Sequence, residues 1–214
     1  MTATSPHAGA QVAPRRIVVG ISGASGAPYA KRLLEVLRDE VAQGKLAVSV
    51  VLSNTAEEVW SHECEGSVAE LGLPVYGGRD YAAPFASGSS APDAMVIIPA
   101  SMSTVARVAL GISDNLLTRA ADVMLKERRK LILVPRETPY SEVHLKNMLE
   151  LTRAGAVIMP ASPSFYGRPR SVEQLLDTVI GRVCDHLGLD QSLTRRWGSD
   201  VNLARPRAPA RGQE

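Results

Sequence analysis

RIVVGISGASGAPYAKRLL, residues 16–34, reads as a buried strand, a turn of small residues and the opening of a helix. Ile17, Val18 and Val19 are β-branched and suit a strand, and the run breaks at Gly20 and Gly23. Gly26 and Pro28 then lead into helical spacing at Tyr29, Leu33, Leu34 and Leu37, with Pro28 well placed in a first turn. Glycines allow backbone N–H groups close to a ligand, a helix N-terminus carries partial positive charge, and Ser25 offers a hydroxyl, so an anion is expected here. The glycines fall as G-x-x-G-x-x-G at Gly20, Gly23 and Gly26. This is neither the dinucleotide fingerprint G-x-G-x-x-G nor a P-loop, which requires a Lys after its last glycine. The next strand, Ala47 to Leu52, ends at Ser53 and Asn54 rather than at the acidic residue an NAD enzyme uses for the ribose. A mononucleotide such as a flavin fits better; the alternative is a tight strand-to-helix turn with no ligand.

The surrounding chain is consistent with one α/β domain. Its 214 residues are 45% hydrophobic, enough for a full core, and a net charge of +2 makes no global demand for nucleic acid or a membrane surface. No segment reaches the apolar length of a membrane span, and residues 1–15 read as a disordered leader without a signal-peptide core. The cysteines, Cys64 and Cys184, form no paired framework, which suits a reducing, cytoplasmic setting. His62, Glu63 and Cys64 are adjacent, but no second ligand pair at zinc spacing accompanies them, and no metal is expected.

Taken in order, the strand at 47–52 is followed by a helix capped at Asn54 or Thr55 and running through Trp60. Residues 76–92 form a Gly/Ser/Ala/Pro-rich loop of the length usually found at functional sites. Ala94 to Ile98 is a further buried strand, opening onto Ala100, Ser101, Met102, Ser103 and Thr104. In a doubly wound sheet, ligands bind beyond the carboxyl ends of strands, so Ser25, Ser53 and residues 101–104 would line one crevice. Each turn taken alone could equally be a helix cap. A helix is expected over Ser113 to Arg129, with Asp122 and Lys126 as an i,i+4 pair and Arg119 on the face of Lys126. The strand Leu131 to Val134 leads directly to Arg136 and Glu137, and a helix from Ser141 to Ala154 closes at Gly155 before the strand AVIMP. A loop with Tyr166, Arg168 and Arg170 precedes a helix from Val172 to Leu187 that contains Arg182, and the tail, residues 190–214, is expected to be partly mobile.

Long ordered blocks carry a resemblance: GISGASGAPYAKRLLEVL, ASGSSAPDAMVIIPASMSTVA, DNLLTRAADVMLKERRKLILVPRETPYSEVHLKNMLEL and GAVIMPASPSFYGRPRSVEQLLDTVIGRV. Over about residues 16–189 the chain resembles the UbiX-like flavin prenyltransferases, within the superfamily of flavin-binding homo-oligomeric Cys decarboxylases. The resemblance implies a single Rossmann-like doubly wound α/β domain, with a mainly parallel sheet and helices on both faces. It implies transfer of a prenyl group from dimethylallyl monophosphate to N5 and C6 of reduced FMN, with phosphate released and no metal. The prenylated FMN would serve a UbiD-like decarboxylase. FMN contacts carry over onto Gly23, Ala24, Ser25, Ser53, Ser101, Met102, Ser103, Thr104 and Arg136. Prenyl-phosphate contacts carry over onto Arg119, Lys126, Arg136, Glu137, Tyr166 and Arg182, and Tyr81 stands where relatives often have Trp. Ser25, Glu63, Lys126 and Glu137 are the implied catalytic set. Relatives form rings or shells of trimers, so a homo-oligomer, with a dodecamer among the forms, is implied, with the site at a subunit interface.

The chemistry agrees with that set. Heterolysis of an allylic phosphate places negative charge on the leaving group, for which Arg119, Lys126, Arg136 and Arg182 supply cations, and positive charge on the allyl fragment, for which an aromatic face is needed. Two rivals remain: an FMN-dependent cysteine-type decarboxylase, which shares the fold and the flavin turns, and a non-catalytic flavin carrier. The first has no use for the Arg119, Lys126 and Arg182 cluster. The second has less use for Glu63, Lys126 and Glu137.

Overall fold

β1 (Arg15–Ile21) is buried on both faces at Ile17, Val18, Val19 and Ile21, as a strand inside a parallel sheet must be. In the computed structural model, which describes residues 13–194, β1 pairs in parallel with β2 (Leu46–Leu52) on one side and β4 (Ala94–Ala100) on the other. With β3 (Val75–Tyr76), β5 (Lys130–Pro135) and β6 (Val157–Ile158) they form a six-stranded parallel sheet in the order β3-β2-β1-β4-β5-β6. The order reverses between β1 and β4, so the doubly wound fold is present and its switch point lies there.

Strand alternation sorts the core. Val18, Val51, Met95, Ile97, Leu131 and Leu133 face α3 (Met102–Ala109), α4 (Leu116–Lys126) and α5 (Glu142–Arg153) in one apolar cluster. On the opposite face α1 (Ala27–Ala42) packs on β1, β2 and β4 through its fully buried Leu33, Leu34 and Leu37. A Cβ on Gly20 would stand 3.4 Å from Leu117 Cδ1 and 3.3 Å from Met95 Cε, so the missing side chain sets how closely α4 approaches the sheet.

α4 is shorter than the expected 113–129. Asn115 caps it, its side chain accepting from Thr118 N at 2.9 Å in a reciprocal capping box, and it stops at Glu127, before the positive φ of 55° at Arg128. The expected Asp122–Lys126 pair is not made: Asp122 pairs with Arg119 and Lys126 with Glu127. Helix side chains lean toward the N-terminus, which carries Asp122 onto the turn that holds Arg119. The 76–92 loop is pinned rather than slack. Phe85 is buried edge-on against Tyr76 at 5.2 Å, and Arg16 Nη2 donates to Ala91 O at 2.7 Å.

The described residues fall into two compact units, the second beginning at Pro163. Within it, α6 (Val172–Leu187) is capped by Ser171 and ends at Gly188 with φ 69°. Gly181 leaves room for Thr194 Oγ1, only 2.9 Å from where a Cβ would be. The expected leader lies outside the described residues apart from 13–15, and the expected tail apart from 190–194. Among the described residues no helix is long and apolar enough to cross a membrane.

Candidate active site

The carboxyl ends of β1, β4 and β5 are tied together by side chains and backbone of the crevice itself. Ser22, 1% exposed, donates its hydroxyl to Pro99 O at 2.7 Å and accepts from Ser101 N at 2.7 Å, so a single buried oxygen registers two turns 77 residues apart. Arg136 extends the tie, its N–H donating to Ala100 O at 3.3 Å and its Nε to Ser25 O at 2.8 Å. The end of β2 joins through Ser53 N and Ile21 O at 2.9 Å. Ser22 escaped the sequence reading because a Ser between Ile21 and Gly23 looks like any turn residue; its partners are remote in sequence.

The anion expected at the start of α1 is supplied by the protein. Glu63, in the last turn of α2 (Ala56–Glu63), accepts from Gly26 N at 2.7 Å and Ala27 N at 2.8 Å with one oxygen. α1 has no side-chain cap of its own: its N-cap is Gly26 at φ 118°, a conformation that favours glycine. Burial raises the Glu63 pKa and is the largest single influence, but the Ser25 hydroxyl, the two amides and the Arg136 charge together outweigh it, holding the carboxyl below its ordinary value. Ser25, Glu63 and Arg136 therefore form one polar cluster at the switch point. Gly23 has a packing reason as well: a Cβ there would collide with the Thr55 hydroxyl.

The hydroxyls of the next turn are gathered too. Ser101 caps α3, its Oγ accepting from Thr104 N at 3.3 Å and lying 3.1 Å from Ser103 Oγ and 3.0 Å from Thr104 Oγ1. Met102 and Thr104 are buried, whereas Ser103 is exposed. Across the crevice floor, Ser53 Oγ is the only buried side-chain polar atom among the described residues that lacks a hydrogen-bond partner. A buried hydroxyl left in this state is costly unless a ligand completes it. With Gly23, Ala24, Ser25, residues 101–104 and Arg136 around the same strand ends, the donor set fits a flavin mononucleotide. Ser53→Ala is accordingly expected to leave thermal stability of the flavin-free protein unchanged or slightly higher. FMN affinity should fall by about fivefold in a fluorescence titration, the scale of one neutral hydrogen bond; unchanged affinity would place the hydroxyl outside the flavin site.

The phosphate set is divided. Glu137, exposed at the end of β5, turns back so that its Oε1 accepts from Thr138 N at 2.9 Å. Arg119 donates from Nε to Ala86 O at 3.1 Å and from Nη1 to Asp122 at 3.0 Å, facing the 84–90 turns. α4 starts just beyond the end of β3, where Leu116 N donates to Gly78 O at 2.8 Å, and its 11 residues descend the sheet by about 16 Å. Lys126 consequently sits at the amino edge of the strands, near Gly88 and the start of β5, whereas Arg136 and Ser25 sit at the carboxyl edge. One chain does not bring these cations around one phosphate. Tyr81 is 49% exposed on the 76–92 loop. Tyr166 and Arg182 belong to the second unit, both exposed, with Arg182 donating to Asp185 at 2.8 Å.

Residues 7–184 match the model of the flavoprotein family. The chain is 45% identical over 187 residues to the flavin prenyltransferase UbiX of Methanocaldococcus jannaschii, a match covering 86% of this chain and 99% of that protein. Among solved structures it is similar to AnUbiX (PadA1) in complex with FMN and dimethylallyl pyrophosphate, with a TM-score of 0.81, 44% identity and coverage of 86% of this chain and 97% of that one. It is also similar to the dodecameric FMN-dependent Ubix-like decarboxylase from Escherichia coli O157:H7, with a TM-score of 0.81, 40% identity and coverage of 85% and 98%.

Proposed function

The chain belongs to the flavoprotein family and, within it, to the UbiX flavin prenyltransferases, and from that premise we propose that it joins the dimethylallyl group of dimethylallyl monophosphate to N5 and C6 of reduced FMN, with release of phosphate. The observation that carries the reading is the Ser25, Glu63 and Arg136 cluster at the switch point, together with the buried Ser53 hydroxyl at the carboxyl end of β2 that lacks a partner among the described residues. Gly23, Ala24, Ser25, Ser53, Ser101, Met102, Ser103, Thr104 and Arg136 would hold the flavin. Reduced flavin, when bound, supplies the nucleophilic ring positions and the aromatic face.

The chain's own groups do the remainder. Ser25 hydrogen-bonds to Glu63, which leaves its oxygen lone pairs able to take a proton from the ring and pass one to the Glu63 carboxylate. Arg119, Lys126, Arg136 and Arg182, with Tyr166, stabilise the departing phosphate, and Glu137 manages its proton. Tyr81 offers an aromatic wall to the allyl fragment. Because Lys126 and Arg136 stand at opposite edges of one sheet, a second copy of the chain is needed to complete the phosphate site; a relative at 40% identity is a dodecamer. The product would pass to a UbiD-like decarboxylase, and the widely spaced Cys64 and Cys184, which form no disulfide, favour a cytoplasmic setting.

The test is anaerobic incubation with reduced FMN and dimethylallyl monophosphate, with the diphosphate assayed in parallel, followed by mass analysis of the released flavin. The expected result is a gain of one five-carbon prenyl unit, lost in Lys126→Ala and reduced about a hundredfold in rate in Glu137→Gln. Unchanged flavin under conditions where an authentic prenyltransferase turns over would overturn the reading in favour of the cysteine-type decarboxylase or the carrier.

A further inference from the structure

α4 ends in an ion pair between adjacent residues whose position is set by a glycine on another segment. Lys126 Nζ donates to Glu127 Oε1 at 2.5 Å, with the two side chains 44% and 38% exposed. Both head groups lie over Gly88, where any Cβ would collide with the Glu127 carboxylate and the Lys126 ammonium. The hydrogen bond from Lys126, followed by its charge, holds the Glu127 carboxyl below its ordinary value. Arg119 contrasts with this arrangement. It is fixed at two points, by the Ala86 carbonyl and by Asp122, so it is a stationary donor. Among the described residues Lys126 is held by one carboxylate, which is itself 38% exposed to solvent.

We propose that the Glu127 carboxylate is a built-in stand-in for the substrate phosphate on Lys126, so that the ester binds by exchange and Glu127 sets how tightly it is held. The inference rests on the reading above of Lys126 as a phosphate ligand. A carboxylate and a phosphate compete for the same ammonium donors, and after exchange the displaced carboxylate remains close to a dianion, which opposes binding. For a solvent-exposed pair the effect is a few-fold in affinity.

The experiment measures binding of dimethylallyl monophosphate to the full-length protein loaded with oxidised FMN, by titration calorimetry, so that no turnover is required. Glu127→Gln is expected to tighten binding about threefold. Lys126→Ala should weaken it about tenfold or more, the scale of a hydrogen bond to a charged group. The double variant should bind like Lys126→Ala alone. In steady-state assays Glu127→Gln should lower KM with kcat within about twofold, a split that loss of a purely structural contact would not produce. Unchanged or weaker binding in Glu127→Gln, or tightening that persists without Lys126, would overturn the exchange. No loss of affinity in Lys126→Ala would instead overturn the assignment of Lys126 on which it rests.

Discussion

Ser22→Ala is expected to lower the melting temperature by roughly 2–12 °C and to weaken FMN binding. The Ser22 hydroxyl serves the Pro99 carbonyl and the Ser101 amide at 2.7 Å each, in a position 1% exposed to solvent. Pro99 O keeps a second donor, Ser22 N at 3.3 Å, whereas among the described residues Ser22 Oγ is the one acceptor of the Ser101 amide. Leaving a buried N–H without a partner costs about 1–3 kcal/mol, and in a chain of this size each kcal/mol shifts the midpoint by roughly 2–4 °C. Because Ser101 also organises Ser103 and Thr104, the loss should reach the flavin. Calorimetry and a flavin titration on the same preparation measure both effects. A variant melting within a degree of the parent would show that the two turns hold their register without this oxygen.

Glu63→Gln should reduce prenyl transfer by about a hundredfold or more, the usual scale for removing a positioned acid–base group, while FMN affinity changes little. The amide oxygen can take the place of the one carboxylate oxygen that accepts from both Gly26 and Ala27, so the first turn of α1 keeps its partner, but the side chain loses its negative charge and its capacity to hold a proton from Ser25. The separation is read by kcat against flavin Kd; loss of both in proportion would reduce Glu63 to a helix cap. A pH consequence follows from the sign of its pKa shift. The Glu63 pKa is lowered in the folded chain, so its contribution to stability is complete above the ordinary glutamate value and is lost as pH falls through the lowered one. The gap in melting temperature between parent and Glu63→Gln should therefore narrow on acidification through that window.

The strand, turn and helix of residues 16–34 were legible because local rules suffice there: a β-branched run, a turn that needs Gly26 at positive φ, and leucines at helical spacing all point to one structure. The clustering of Ser25 and residues 101–104 also followed from the rule that parallel strands end at one edge. The roles of Ser22 and Glu63 were not legible from local pattern. Ser22 meets partners 77 and 79 residues away, and Glu63 reaches amides 36 and 37 residues earlier in the chain. Side-chain partnerships on α4 depend on contacts of the same remote kind. Spacing alone permits Asp122 to meet Lys126, and only the three-dimensional setting of Gly88 shows why Glu127 lies with Lys126 instead.

The ties among Ser22, Ser25, Pro99, Ser101 and Arg136 also bear on the entropy of ligand binding. These loops are joined to one another through the protein's own donors and acceptors. A flavin bound there, as proposed, would have little backbone left to order and would retain most of its interaction energy as affinity. Amide hydrogen exchange at Gly26, Ala27 and Ser101 should be slow before any flavin is added and should change little afterwards.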